Sequence, residues 1–158
     1  MILKKIIPVK PDLRGKALII SSLILLVVAI ANAENLYTSI QVDLPAEFIP
    51  EAVVTNEIPK GLAYDPLTLL VEGSVISPDQ SISGPLDGTS TARVTWTFIN
   101  VDNSADQDIL IQYQAIVADI EGNRNGVSLN PASATLSWKD QQGNIHTASD
   151  NFQPLKVV

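Results

Sequence analysis

From residue 36 onward no segment keeps a helical period. Short runs alternate apolar and polar residues, and clusters bearing Gly, Pro and Asn separate the runs. These three observations predict an all-β domain, an immunoglobulin-like two-sheet β-sandwich of about seven strands. Each strand offers one apolar face, so two sheets must cover one another to bury those faces.

The elements follow in order. Leu36, Thr38, Ile40 and Val42 lie opposite Tyr37, Ser39 and Gln41. Val53-Val54-Thr55 is a short β-branched run, and 67–71 reads as a strand beginning after Pro66. Val94, Trp96 and Phe98 alternate with Thr95, Thr97 and Ile99, a strongly β-prone set. Ile109, Ile111, Tyr113, Ala115 and Val117 form the next apolar face. Ala132, Ala134, Leu136 and Trp138 alternate with Ser133, Thr135 and Ser137, and 152–158 is a candidate last strand. Turn clusters at 57–61, 77–80, 84–88, 123–126 and 140–144 supply the positive φ of Gly and Asn and the fixed φ of Pro. Trp96, Phe98, Tyr113, Leu136 and Trp138 are the expected core.

The N-terminus has a different character. Residues 1–16 are basic, 17–31 carry no charge, and Ala31-Asn32-Ala33 precedes Glu34. A basic region, an apolar core and a small-x-small site are the three parts of a secretory signal. Residues 1–33 are therefore expected to be a signal peptide or membrane anchor, apolar and helical, and 34–158 the sandwich domain. Cleavage after Ala33 is favoured over retention because the apolar core is shorter than the about 20 residues that span a bilayer. Gly15 before the apolar run invites comparison with a prepilin leader. Prepilins carry an acidic residue soon after the cut, however, and 16–33 has none.

Composition excludes several functions. The 158 residues include no Cys, which removes disulfides, thiol nucleophiles and cysteine-ligated zinc, and a single His, which removes a multi-histidine metal site. The net charge is −7, and 34–158 holds 5 basic against 16 acidic residues, so nucleic acid is not an expected partner.

Three segments carry a family resemblance. Residues 43–64, DLPAEFIPEAVVTNEIPKGLAY, look like a "VVTDTLPxGLxY" passage. Residues 95–117, beginning TWTFINVDN and continuing ILIQYQAIV, are similar to "GxVDN … IxIxYxAxV". Residues 123–138, NRNGVSLNPASATLSW, look like "NxxGxxLxNxAxLSW". In this order and spacing the chain resembles, over 38–158, the immunoglobulin-like repeat domain of large bacterial and archaeal surface proteins, grouped with isopeptide-forming fimbrial proteins. The resemblance implies an extracellular module, usually one of many in tandem. Here there is one copy, ending at Val158, which raises the expectation that the chain is part of a longer surface protein.

Candidates for chemistry are few. His146 beside the 140–144 turn reads as a solvated hairpin residue and not as the base of a Ser-His-Asp relay. Sixteen acids will form chance pairs without making a glycosidase. A calcium site is the more serious candidate. Asp102, Asn103, Asp106 and Asp108 share one inter-strand loop, and clustered oxygen donors suit calcium. The spacing is not that of an EF-hand. Asp119–Asn125 is a second oxygen-rich loop. The resemblance also implies a Lys–Asn isopeptide bond in related modules, with Asn130 at the "NxA" position. Pro131-Ala132-Ser133 adds a residue there, 34–59 contains no Lys, and Lys60 sits in a Pro-Lys-Gly turn, so no bond is expected.

The expected function is that of a non-catalytic, extracellular structural or adhesive module, secreted or on a prokaryotic cell surface and needing no cofactor unless calcium. Its expected partners are neighbouring modules or other surface proteins, and it meets a membrane only through 17–33 if these are uncleaved. The alternatives are a pilus-like subunit anchored by its N-terminal helix and a calcium- or glycan-binding module.

Overall fold

The computed structural model describes residues 35–74, 76–121, 123, 128–129, 133–151 and 155–156. The N-terminal apolar segment 1–33 lies outside the described residues, as do Asn130 and most of 152–158. The described residues are all-β. The strands are β1 Asn35–Val42, β2 Phe48–Ile58, β3 Leu62–Glu72, β4 Asp79–Ser83, β5 Ala92–Asp102, β6 Ile109–Val117, β7 Ser128–Leu129, β8 Ser133–Lys139, β9 Ile145–Asn151 and β10 Leu155–Lys156. Eight of them build two antiparallel sheets, β1-β6-β3 and β4-β5-β2-β8-β9, and β7 pairs with β10 in a two-residue ladder.

The alternation in the sequence sets which face is buried. Ile40 and Val42, Ala52, Val54 and Ile58, Val94, Trp96 and Phe98, Ile109, Ile111, Tyr113 and Ala115, and Ala134 and Leu136 turn inward as one core between the sheets. Trp96, Phe98, Tyr113 and Leu136 are buried as expected. Trp138 is only partly buried. It stands at the rim, where its indole stacks on the His146 ring at 5.1 Å. The cause is a mismatch of widths. Tyr64 of β3 accepts a hydrogen bond from Gln80 Nε2 of β4, and Tyr113 of β6 packs on Asn56 and Trp96. The three-stranded sheet thus covers β5, β2 and the Ala134–Leu136 part of β8, while β4 is exposed and exposed residues make up nearly all of β9.

Strand lengths and number also differ from the sequence reading. The Val53–Thr55 run extends over Phe48–Ile58, because Asn56 is accommodated inside the core. Pro66 does not begin β3. It lies in an irregularity where Asp65 faces Gln114 and Leu70 faces Gln112, so that 66–69 oppose Tyr113 alone. Thr68 holds the excursion: its hydroxyl donates to the Asp65 carbonyl (2.7 Å) and accepts from the Gln114 N–H (2.8 Å), replacing a lost ladder bond.

Candidate functional site

The acidic loop joins β5 to β6, and its four candidate ligands, Asp102, Asn103, Asp106 and Asp108, are placed separately. Asn103 is buried. Its Nδ2 donates to the carbonyls of Leu44 (2.9 Å) and Pro45 (3.1 Å), and its Oδ1 accepts from the Gln107 N–H (3.0 Å). Asn103 therefore clamps the loop onto the segment after β1. Asp102 closes an Asx turn by accepting from the Ser104 N–H (3.1 Å), and the Ser104 hydroxyl and backbone hold its carboxyl below the usual carboxylate range. Asp106 adopts a left-handed φ of 55°, which Asp tolerates. Asp108 accepts from Gln41 Nε2 of β1. Among the described residues, no group of three or more His, Cys, Asp or Glu converges where a metal ion could sit. In the second oxygen-rich loop, Asn123 Nδ2 donates to the carbonyls of Gly61 (2.7 Å) and Ala118 (2.8 Å), tying that loop to the residues just before β3 and just after β6. Gly61 has a φ of +102°, and a Cβ there would approach Asn123 and Leu129 to within 2.7 Å, so the junction requires Gly.

His146 also serves the fold. Asp140 Oδ1 accepts from the N–H groups of Gln142 and Asn144, its Oδ2 accepts from Asn144 Nδ2, and Oδ2 lies 2.9 Å from His146 Nε2. These bonds, led by that to His146, bring the Asp140 carboxyl down to about 2. The result is a cross-braced β8–β9 hairpin with the imidazole stacked on Trp138. Among the described residues the imidazole's hydrogen-bond partner is the Asp140 carboxylate, not a nucleophile. Lys60 is exposed, and Asn130 lies outside the described residues.

Sequence reasoning missed a buried polar cluster. Asn56 Nδ2 donates to the Tyr113 hydroxyl (2.5 Å), and Tyr64 meets the Tyr113 ring edge-on at 5.1 Å. Burial pushes the Tyr113 phenol upward. An Asn on the apolar face of a β-branched strand is the signal that could have revealed it.

The outer face of the five-stranded sheet was missed as well, because it exists only through register. One row crosses all five strands as Ser81, Thr95, Thr55, Thr135 and Ser149. The next row is Asp79, Thr97, Val53, Ser137 and Thr147. Neighbouring strands lie about 4.8 Å apart and same-face residues along a strand about 7 Å apart, so the hydroxyls form a grid. The Thr55 and Thr95 hydroxyls approach to 3.4 Å. Ion pairs border the grid on both sides, Arg93–Glu57 at 2.5 Å and Lys139–Glu51 at 2.8 Å.

No protein-family model matches the chain, and no curated protein matches it in sequence. Solved structures do match. The collagen-binding subdomain of the Enterococcus faecalis surface protein ACE is similar at a TM-score of 0.50 and 9% identity, over 82% of this chain and 91% of that one. The major pilin subunit of Bacillus cereus is similar at a TM-score of 0.54 and 16% identity, over 90% of this chain but only 36% of the pilin. At these identities the likeness is one of fold, and that fold is the immunoglobulin-like sandwich of surface adhesin and pilin domains.

Proposed function

We propose that the chain is an exported, non-catalytic structural or adhesive module of a prokaryotic cell surface or secreted matrix, with 1–33 as its signal and 34–158 as its working domain. The observation that carries the reading is the use of polar side chains. Asn103 and Asn123 tie loops to neighbouring connecting segments, Asp140 braces a hairpin and Thr68 holds a bulge, and among the described residues none of them assembles with a nucleophile and a base. The fold likeness to an adhesin subdomain and a pilin supports the same reading. A sandwich held by one core and no disulfide keeps its fold in any redox environment, and an acidic surface keeps it soluble. Neighbouring modules or other surface proteins are its partners in this reading.

Labelling intact cells with a membrane-impermeant amine reagent tests it. Lys60 is exposed and Lys139 is partly so, and both should react without lysis. Labelling that appears only after lysis would refute the surface location. The likeness to a pilin favours a second reading, a pilus-like subunit that keeps residues 1–33. Protein recovered in fibres at its full-length mass would select it.

A further inference from the structure

We propose that the bulge of β3 is a scission site, where the Asp65 carboxyl cuts the Asp65–Pro66 peptide bond in mild acid without a protease. The inference goes beyond the surface reading above and does not depend on it. Asp65–Pro66 is the one Asp–Pro bond of the sequence. The carboxyl of an Asp closes a five-membered ring when it attacks its own peptide carbonyl, and such an attack has the advantage of an intramolecular reaction. A prolyl nitrogen is more basic than that of a secondary amide, so it departs more readily once protonated.

The bulge adds three features to this chemistry. The Thr68 hydroxyl accepts from the Gln114 N–H (2.8 Å), which directs its own hydrogen at the Asp65 carbonyl oxygen (2.7 Å). A donor fixed on that oxygen stabilises the negative charge that develops there during attack. Asp65 Oδ1 accepts from the Leu67 N–H (3.0 Å), which holds the carboxyl against the bulge with Oδ2 as the attacking oxygen. Leu67 is 93% exposed and Asp65 and Pro66 are partly so, which leaves the bond open to water.

The step balances with one water. In the acid form, Oδ2 bonds to the Asp65 carbonyl carbon, the C–N bond to Pro66 breaks, and the carboxyl proton passes to the Pro66 nitrogen. The products are a cyclic anhydride and a prolyl amine. Water opens the anhydride, restoring the side-chain carboxyl and leaving an α-carboxyl on Asp65. Strand pairing continues on both sides of the cut, 62–65 against 114–117 and 70–72 against 110–112, and Pro66 has no N–H to lose from the ladder. β1 stays paired with β6, and β2 with β5 and β8. The cut therefore ends the covalent continuity of the module while the sandwich stays assembled.

The test is incubation of the full chain at the lowest pH at which its Trp fluorescence is still native, beside a synthetic peptide of residues 62–72, both followed by intact mass. The chain should give one piece ending at Asp65 and one beginning at Pro66. It should do so about tenfold faster than the peptide, the effect of one well-placed hydrogen bond on a barrier. The two pieces should elute together from a sizing column in neutral buffer and separate in denaturant. Asp65→Asn and Pro66→Ala should each abolish the cut. Thr68→Val should slow it to the rate of the peptide, and Thr68→Ser, which keeps the hydroxyl, should restore it. No cut at this bond, a folded chain cut no faster than the peptide, or an unchanged rate in Thr68→Val would each overturn the assignment.

Discussion

Replacing Asn103 with Ala separates a structural clamp from a cation ligand. The side chain makes three hydrogen bonds, to the carbonyls of Leu44 and Pro45 and from the N–H of Gln107, and it is 5% exposed. Each such bond contributes about 1 kcal/mol net, and a buried partner left unpaired costs more. Leu44 is itself buried, so its carbonyl is the group that suffers most. The sum is a loss of about 2–4 kcal/mol, a large share of the about 5–15 kcal/mol that holds a domain together. Urea unfolding followed by Trp fluorescence should show a lower midpoint at an unchanged slope, because the same surface is exposed on unfolding. Asp102→Ala, which removes one exposed turn bond, should cost well under 1 kcal/mol. A change below about 0.5 kcal/mol for Asn103→Ala would refute the clamp. A stability gain from millimolar calcium in the wild-type chain that the variant lacks would make Asn103 a ligand instead.

The other expectations follow from the same geometry. Trp96→Ala should cost about 3–5 kcal/mol and Trp138→Ala markedly less, since the first side chain is fully buried and the second lies at the rim; equal losses in urea unfolding would contradict the widths of the two sheets. The Asp140 carboxyl is depressed from 3.8 to about 2, so its contribution is present above the unfolded value and is lost as pH falls through 2. Unfolding measured between pH 4 and pH 2 should therefore show a slope that Asp140→Asn reduces, and an unchanged slope would count against the His146 and Asn144 bonds. Calcium at millimolar concentration should raise the melting midpoint no more than magnesium does, and a calcium-specific rise abolished by Asp106→Ala would place a cation in the 102–108 loop.

The centre of the fold is legible in the sequence where one face of a strand is buried and the other is wet. Val94, Trp96 and Phe98, or Ile109, Ile111 and Tyr113, alternate because the sandwich requires it, and their register follows. The edge strands are not legible. Asp79–Ser83 is exposed along its whole length and Ile145–Asn151 nearly so, so neither shows an alternation to read. Asn56 hides the length of β2 because a polar residue on an apolar face looks like the end of a strand, until Tyr113 supplies its partner from the other sheet. The loop of Asp102, Asn103, Asp106 and Asp108 reads as a ligand set because composition counts oxygens without saying where they point. Its most buried member, Asn103, points at a backbone. The hydroxyl face is invisible for a further reason: its rows join residues from Thr55 to Ser149, and only strand pairing makes them neighbours.

The mass of the protein recovered from outside intact cells tests the central reading most directly. Export through the 1–33 signal should yield a chain that begins at Glu34, lacks the 33 preceding residues and is reached by protease or amine reagent without lysis. A full-length chain found only inside the cell would contradict the account of an extracellular module.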